Sequence, residues 1–156
     1  MILPIKKTND RQRILINNAD ILREAFKAAH TRIPCKLVAY VFLPDHFHII
    51  IDPGKNILSD ILHRMKLSFS SRYRKKYNIY RGQIWQRRFW DHVIRNQEDL
   101  NRHLDYIHYN PVKHNYTRNP FLWAETSLHK FYEEGYYSQD WGVKNTLDFE
   151  GDYGEI

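Results

Sequence analysis

Two histidines separated by one residue, His46 and His48, and a tyrosine and asparagine four apart, Tyr106 and Asn110, are the side chains best placed for chemistry. In an extended segment successive side chains point to opposite faces. His46, His48 and Ile50 therefore share one face, and Phe47, Ile49 and Ile51 share the other. If the apolar trio packs under helices, the two imidazoles, about 7 Å apart at their backbones, turn toward the opposite face. Neutral imidazoles in that arrangement can bind one divalent cation. The competing reading is a pair of surface or hydrogen-bonded histidines.

Gln97 to Tyr109 has helical periodicity, with Leu100, Leu104 and Ile107 within about 60° of arc forming a buried stripe. Tyr106, Asn110 and His103 fall beside that stripe, and Tyr106 and Asn110 are neighbours one turn apart. A tyrosine hydroxyl becomes a nucleophile when deprotonated or held against a polarised electrophile. An amide oxygen is a hard ligand suited to Mg²⁺ or Mn²⁺. Otherwise Tyr106 is a half-buried aromatic and Asn110 a capping residue before Pro111, which should close the helix and pull Asn110 from helical geometry.

The elements that must position these groups can be read along the chain. Ile2 to Ile5, interrupted by Pro4, predicts a short edge-like strand. Asn18 to Thr31 predicts a helix, with Ile21, Leu22, Ala25, Phe26 and Ala29 on one side. Cys35 to Leu43 predicts a buried strand, with Cys35 a small buried residue. Pro44 and Asp45 make a tight turn, and His46 to Asp52 returns as the second strand of a hairpin. Ile57, Ile61, Met65, Phe69 and Tyr73 stripe a long helix to about Tyr77, Ile84 to Ile94 reads as strand, and Asn96 can cap the helix that follows. The order β-α-β-β-α-β-α predicts an α+β fold, a ferredoxin-like split βαβ sandwich. Its antiparallel sheet should carry helices on one face and leave the other free. Residues 1–118 form the expected catalytic domain, and 119–156 a C-terminal appendage packed on or beside it.

The chain has 156 residues, 24 Lys+Arg against 18 Asp+Glu, and a formal net charge of +6. Hydrophobic residues at 42% and aromatics at 15% exclude a disordered chain. The longest apolar run, Leu37 to Leu43, is far short of the roughly 20 residues of a membrane span. No stretch resembles a signal peptide, and the single cysteine cannot form an internal disulfide. The expectation is a soluble cytoplasmic protein associated with the nucleoid. Charge is unevenly placed. Between Ile61 and Trp90 lie Arg64, Lys66, Arg72, Arg74, Lys75, Lys76, Arg81, Arg87 and Arg88 with no acid, interleaved with Phe69, Tyr73, Tyr77, Tyr80, Trp85 and Phe89. Basic residues among rings that can stack on bases point to nucleic acid. From Phe131 onward acids dominate, either as a solvating end or as an internal competitor for the basic surface.

Three strings in register, LPDHFHIII, IWQRRFWDHVIRN and DYIHYNPVKHN, resemble the REP-associated tyrosine transposases of the HUH single-strand transposase and nuclease superfamily. The resemblance covers about residues 10 to 142. It implies a ferredoxin-like core in which His46 and His48 hold a divalent metal, Mg²⁺ or Mn²⁺, with Asn110 as third protein ligand. Tyr106 matches the nucleophile, and Tyr109 lies on a different helical face. The implied activity is metal-dependent cleavage and rejoining of single-stranded DNA at a hairpin, through a 5′-phosphotyrosine. The implied partner is hairpin-bearing single-stranded DNA, bound by a monomer. Arg72, Arg74, Lys75, Arg87 and Arg88 are nominated as a DNA-binding group. His92, His103 and His108 are read as surface histidines. Two other readings compete: a non-catalytic binder of structured single-stranded DNA or RNA, and a metal-dependent nuclease in which water attacks.

Overall fold

The computed structural model describes residues 1–151, 153 and 154; of the acidic C-terminal segment, Asp152 and Glu155, with Ile156, lie outside the described residues. The elements run β1 (Ile2–Lys7), α1 (Ala19–Arg32), β2 (Lys36–Phe42), β3 (His46–Asp52), α2 (Leu58–Tyr77), β4 (Trp90–Val93), α3 (Gln97–Lys113) and α4 (Leu128–Glu133). The four strands make an antiparallel sheet in the order β2-β3-β1-β4, so the expected α+β split βαβ sandwich is the observed one.

Alternation along each strand builds two cores. Phe47, Ile49 and Ile51 of β3 meet Leu22 and Ala25 of α1 and Ile61, Leu62, Met65 and Phe69 of α2 on one face. Leu3, Ile5, Val41 and Ile50 point to the other face, where Leu100, Leu104 and Ile107 of α3 cover them. The face expected to be free is therefore roofed by α3. The apolar stripe on α3 must leave water, and Leu3, Ile5, Ala39, Val41 and Ile50 are the matching apolar surface.

Three boundaries depart from expectation. β1 is central rather than edge-like, paired to β3 through Ile5–His48 and Lys7–His46 and to β4 through Leu3–His92 and Ile5–Trp90. Pairing with β3 skips Leu3 and Pro4, where proline has no N–H to give, yet Leu3 and Ile5 are 0% and 1% exposed and their burial holds the strand inside. β4 spans only Trp90–Val93; the preceding segment meets the end of β1 through the isolated Thr8–Trp85 bridge and the Gln86 N–H on Lys7 O at 3.1 Å rather than through a continuous ladder. Third, α3 continues through Pro111 to Lys113, with the His114 N–H on Asn110 O at 3.0 Å. Proline forfeits only its own donor, and the ladder resumes after it. Cys35 lies just before β2 and is partly exposed rather than buried.

Residues 123–127 cover the outer edge of β2. The Phe42 N–H donates to Glu125 O at 2.9 Å, Ser127 N–H to Tyr40 O at 2.9 Å and the Trp123 indole to Phe42 O at 3.0 Å. Part of an edge that could pair with another chain is thereby satisfied internally. Among the described residues no helix is long and apolar enough to cross a membrane.

Candidate active site

β3 presents His46 and His48 on the α3 side of the sheet, where they are 1% and 0% exposed. Their rings lie 5.1 Å apart, centroid to centroid. Tyr106 descends from α3 so that its ring meets the His48 ring edge-on at 5.6 Å. Asn110 follows one turn later on the same helix, fully buried, and the unbroken helical geometry keeps it aligned with Tyr106. The fold thus brings imidazole pair and phenol together from one hairpin and one later helix of a single chain. Tyr109 faces elsewhere, against Trp141 and Phe149.

Groups that sequence reading missed complete the arrangement. Asp45, taken for a turn residue, accepts from His46 Nδ1 at 2.7 Å and is ion-paired with Arg11. Burial alone would raise its carboxyl, but the hydrogen bond to His46 and the His46 and Arg11 charges outweigh that and bring it to about 2. With Nδ1 so engaged, Nε2 is the His46 nitrogen that could ligate a cation. The signal was an acid directly before the first histidine in Asp-His-Phe-His. Lys113 donates from its ammonium to the Tyr106 hydroxyl at 2.9 Å and stands 4.6 Å over its ring. The His114 ring lies 5.2 Å from that of His46. Both project from the last turn of α3 and the residue after it, which the expected stop at Pro111 would have removed.

The donor set fits a divalent cation. Two buried imidazoles on one face, one oriented by a carboxylate, and a buried Asn110 amide on the helix that covers them are the N and O donors that first-row divalent metals take. A second group, His92, Asp99 and His103, has ligand atoms within 4.8 Å of one another and could hold a metal. Its geometry favours a different task. His92 Nε2 and His103 Nδ1 lie 2.9 and 3.1 Å from opposite Asp99 oxygens, and the rings stack at 4.5 Å with 16° between planes. Nearly parallel imidazoles cannot both aim in-plane lone pairs at one ion, so the group ties β4 to the start of α3.

His103 and His108, expected at the surface, are 6% and 0% exposed, and His92 is partly buried. Burial lowers the His103 pKa and brings that of His108 down to about 3.

The nominated basic group is split by the sheet. Arg72, Arg74 and Lys75 lie on α2, on the face away from the imidazoles, and the Arg74 guanidinium donates to Gly82 O at 2.6 Å and Arg81 O at 3.3 Å. Arg87 and Arg88 are exposed in the loop leading into β4; Arg88 lies with Ile5, Lys7 and Trp90 on the imidazole side of the sheet, and Arg87 lies with Lys66 and Ser70 of α2 on the other. The C-terminal segment meets the site directly. The Tyr153 ring stacks on Tyr106 at 3.9 Å and 12°, and Phe149 meets it edge-on at 5.3 Å, leaving the phenol 0% exposed.

Residues 5–110 match the family model described as "Transposase IS200 like". A Haemophilus influenzae protein named for the REP-associated tyrosine transposases is 36% identical over 140 residues, 83% of this chain and 80% of the relative. The REP-associated tyrosine transposase of Escherichia coli is 33% identical over 135 residues, covering 85% and 78%. A solved REP-associated tyrosine transposase bound to a REP hairpin superposes with a TM-score of 0.83 at 30% identity, over 95% of this chain and 87% of that one. A Deinococcus radiodurans crystal structure, 18% identical with a TM-score of 0.51, covers 64% of this chain and 82% of its own and shares the fold.

Proposed function

Because this chain belongs to the IS200-like transposases, in the REP-associated tyrosine group of DNA-cleaving and rejoining enzymes, we propose that it cuts single-stranded DNA beside a hairpin through a 5′-phosphotyrosine on Tyr106. The observation that carries the reading is the Tyr106 ring at 5.6 Å from His48, within a buried pair of imidazoles. The hairpin partner is supported by the relative solved with a REP hairpin.

His46, His48 and Asn110 are the residues that would hold a divalent cation, Mg²⁺ or Mn²⁺. Bound there, it would supply positive charge to the scissile phosphate oxygens. Asp45 keeps His46 in the tautomer and orientation for that task. The Tyr106 oxygen attacks phosphorus after its proton passes to solvent; the new P–O bond forms as the P–O3′ bond breaks, and the departing 3′-oxygen takes a proton. The Lys113 ammonium, already on the phenol oxygen, stabilises its negative charge both as it attacks and when it leaves in rejoining. Phosphotyrosine retains the energy of the broken linkage, so a 3′-OH can reverse the step. Phe149 and Tyr153 must move off Tyr106 before a phosphate can approach. All the proposed groups come from one chain, which supports a monomer. Arg88 is the best-placed of the nominated cations for the strand entering the site, while Arg72, Lys75 and Arg87 would hold DNA passing over α2.

The test is a labelled hairpin oligonucleotide with single-stranded flanks, incubated with Mn²⁺ or Mg²⁺ and run on a denaturing gel. A protein–DNA species that survives denaturation and vanishes in Tyr106→Phe is expected. Cleavage that persists in Tyr106→Phe would instead assign the attack to water, and binding without cleavage of a REP-type hairpin would make the protein a binder.

A further inference from the structure

The segment that links β1 to α1 carries two exposed arginines, Arg11 and Arg13, beside the imidazole pair. The Arg11 side chain is 42% exposed, with its Nε on Asp45 Oδ2, while Oδ1 of the same carboxylate holds His46 Nδ1 at 2.7 Å. The guanidinium is therefore one carboxylate and two hydrogen bonds from the His46 ring, roughly 7–8 Å. A guanidinium has more N–H donors than one carboxylate oxygen can take. Asp45 is the only acidic partner of Arg11 among the described residues, so donors remain over beside the candidate cation site. Arg13 stands 5.4 Å over the Tyr116 ring and pairs with no carboxylate among the described residues. Tyr116 in turn stacks on His114 at 5.9 Å and 25°.

An uncommon backbone aims these side chains. Asp10 and Arg11 are both left-handed, with φ of 51° and 55°, a conformation that residues with a Cβ rarely adopt. Tertiary hydrogen bonds hold them there. The Thr8 N–H donates to Asp45 O at 2.9 Å, Asn9 N–H to Ile84 O at 2.8 Å and Leu15 N–H to Pro44 O at 2.9 Å. The Thr8 hydroxyl lies 2.8 Å from Gln12 O and 3.0 Å from Asp45 O. The segment is thus stapled to the turn that carries Asp45 and His46, and strain of this kind persists where the surroundings over-determine it. Donors fixed in advance lose little freedom when a ligand binds.

The charges here favour an anion. Burial raises the pKa of the Tyr116 hydroxyl, Asp45 adds to that and Arg13 and Arg11 oppose it, so the four groups lie within electrostatic reach. Two guanidinia against one carboxylate leave positive charge in excess, and the Asp10 carboxylate accepts from Asn9 Nδ2 at 2.8 Å. A planar guanidinium fork matches a pair of phosphate oxygens, and arginine can hold a carboxylate at Nε while its Nη edge meets a phosphate.

We propose that Arg11 and Arg13 form a phosphate-binding arm for the single-stranded flank of the bound DNA, Arg11 taking the phosphate next to the one held at the imidazoles. The proposal deepens the reading above and rests on single-stranded DNA being the substrate. The probe is a REP-type hairpin with single-stranded flanks, in which one flank phosphate at a time is replaced by a neutral methylphosphonate. Binding of full-length Tyr106→Phe protein, which forms no covalent bond, is followed by gel shift. At one flank position the replacement should weaken binding about tenfold, the worth of one charge-assisted contact. Adding Arg11→Ala should weaken binding of the unmodified hairpin about tenfold and lower the slope of log affinity against log salt by about 0.7. The same replacement should then cost nothing more, because its partner is already gone. Arg11→Lys, which keeps the charge, should recover much of the loss. Arg13→Ala touches neither Asp45 nor His46, so it tests the arm even if Arg11→Ala disturbs the turn; it should silence a neighbouring position in the same way. Effects that add at every flank position for both arginines overturn the proposal. So does an Arg11→Ala protein with weakened Mn²⁺ binding and unchanged DNA affinity, which would confine the arginine to holding Asp45. Covalent adduct formation by wild-type protein on the unmodified hairpin is scored separately. An adduct with no arginine-dependent phosphate sinks the arm alone, and an arginine-dependent phosphate without an adduct sinks the phosphotyrosine reading alone.

Discussion

His108 should make this protein lose stability as pH falls below neutrality. Its imidazole is 0% exposed on α3, with Nε2 2.8 Å from Ser127 Oγ and Nδ1 2.9 Å from the Tyr137 hydroxyl, which donates to Asp105 at 3.1 Å. A neutral ring satisfies every atom if Ser127 donates to Nε2 and Nδ1–H donates to Tyr137. A second ring proton would place a positive charge in a site that burial has stripped of water. Burial, with a smaller contribution from His129, lowers the pKa from 6.5 to about 3. The folded value lies below the unfolded one, so the unfolded chain takes the proton first. The stabilisation is present above pH 6.5 and is lost between 6.5 and about 3. Between pH 7 and 5 the loss from this residue is about 2 kcal/mol, or roughly 4–8 °C in melting temperature for a chain of this size. The assay is thermal denaturation at both pH values for wild type and His108→Gln, which keeps a donor and an acceptor but cannot titrate. Other buried groups, His103 among them, are common to both proteins and cancel. Equal drops in melting temperature would refute the argument. The consequence reaches the active site, since Ser127 and Tyr137 are bolted to the helix that carries Tyr106 and Asn110.

Other changes have equally definite outcomes. Asp45→Asn removes the carboxylate that orients His46 and should weaken Mn²⁺ binding about 10- to 100-fold by calorimetry; unchanged affinity would mean that the His46–Asp45 contact serves folding alone. Tyr153→Ala takes away a ring stacked on Tyr106 and should speed phosphotyrosine formation about threefold to tenfold, the worth of such a stack. A rate equal to or below that of wild type on the denaturing gel would show that this ring does not stand in the way. Lys113→Met should slow both adduct formation and rejoining, with Lys113→Arg restoring much of each; a slowed forward step with normal rejoining would remove the ammonium from the chemistry. Chelating divalent cations with EDTA should abolish the adduct while hairpin binding by gel shift persists.

Much of this protein is decided locally. The order of elements follows from alternation in His46 to Asp52 and from three-and-four spacing in the helices, because those periods state which side of each element must leave water. The same alternation settled that His46 and His48 share a face with Ile50, and spacing put Tyr106 and Asn110 one turn apart. What neighbours must supply could not be read that way. Pro4 suggested an edge, but the burial of Leu3 and Ile5 between two partners placed β1 at the centre. Pro111 suggested a stop, but packing carried α3 onward and delivered Lys113 and His114 to the site. Asp45 read as a turn until the hairpin set its carboxylate on His46. The histidines thought to be surface groups became buried once α3 roofed the sheet. Local pattern specifies which faces are apolar; only the meeting of distant segments specifies what each polar atom touches, and hydrogen bonds and charges act over those few ångströms.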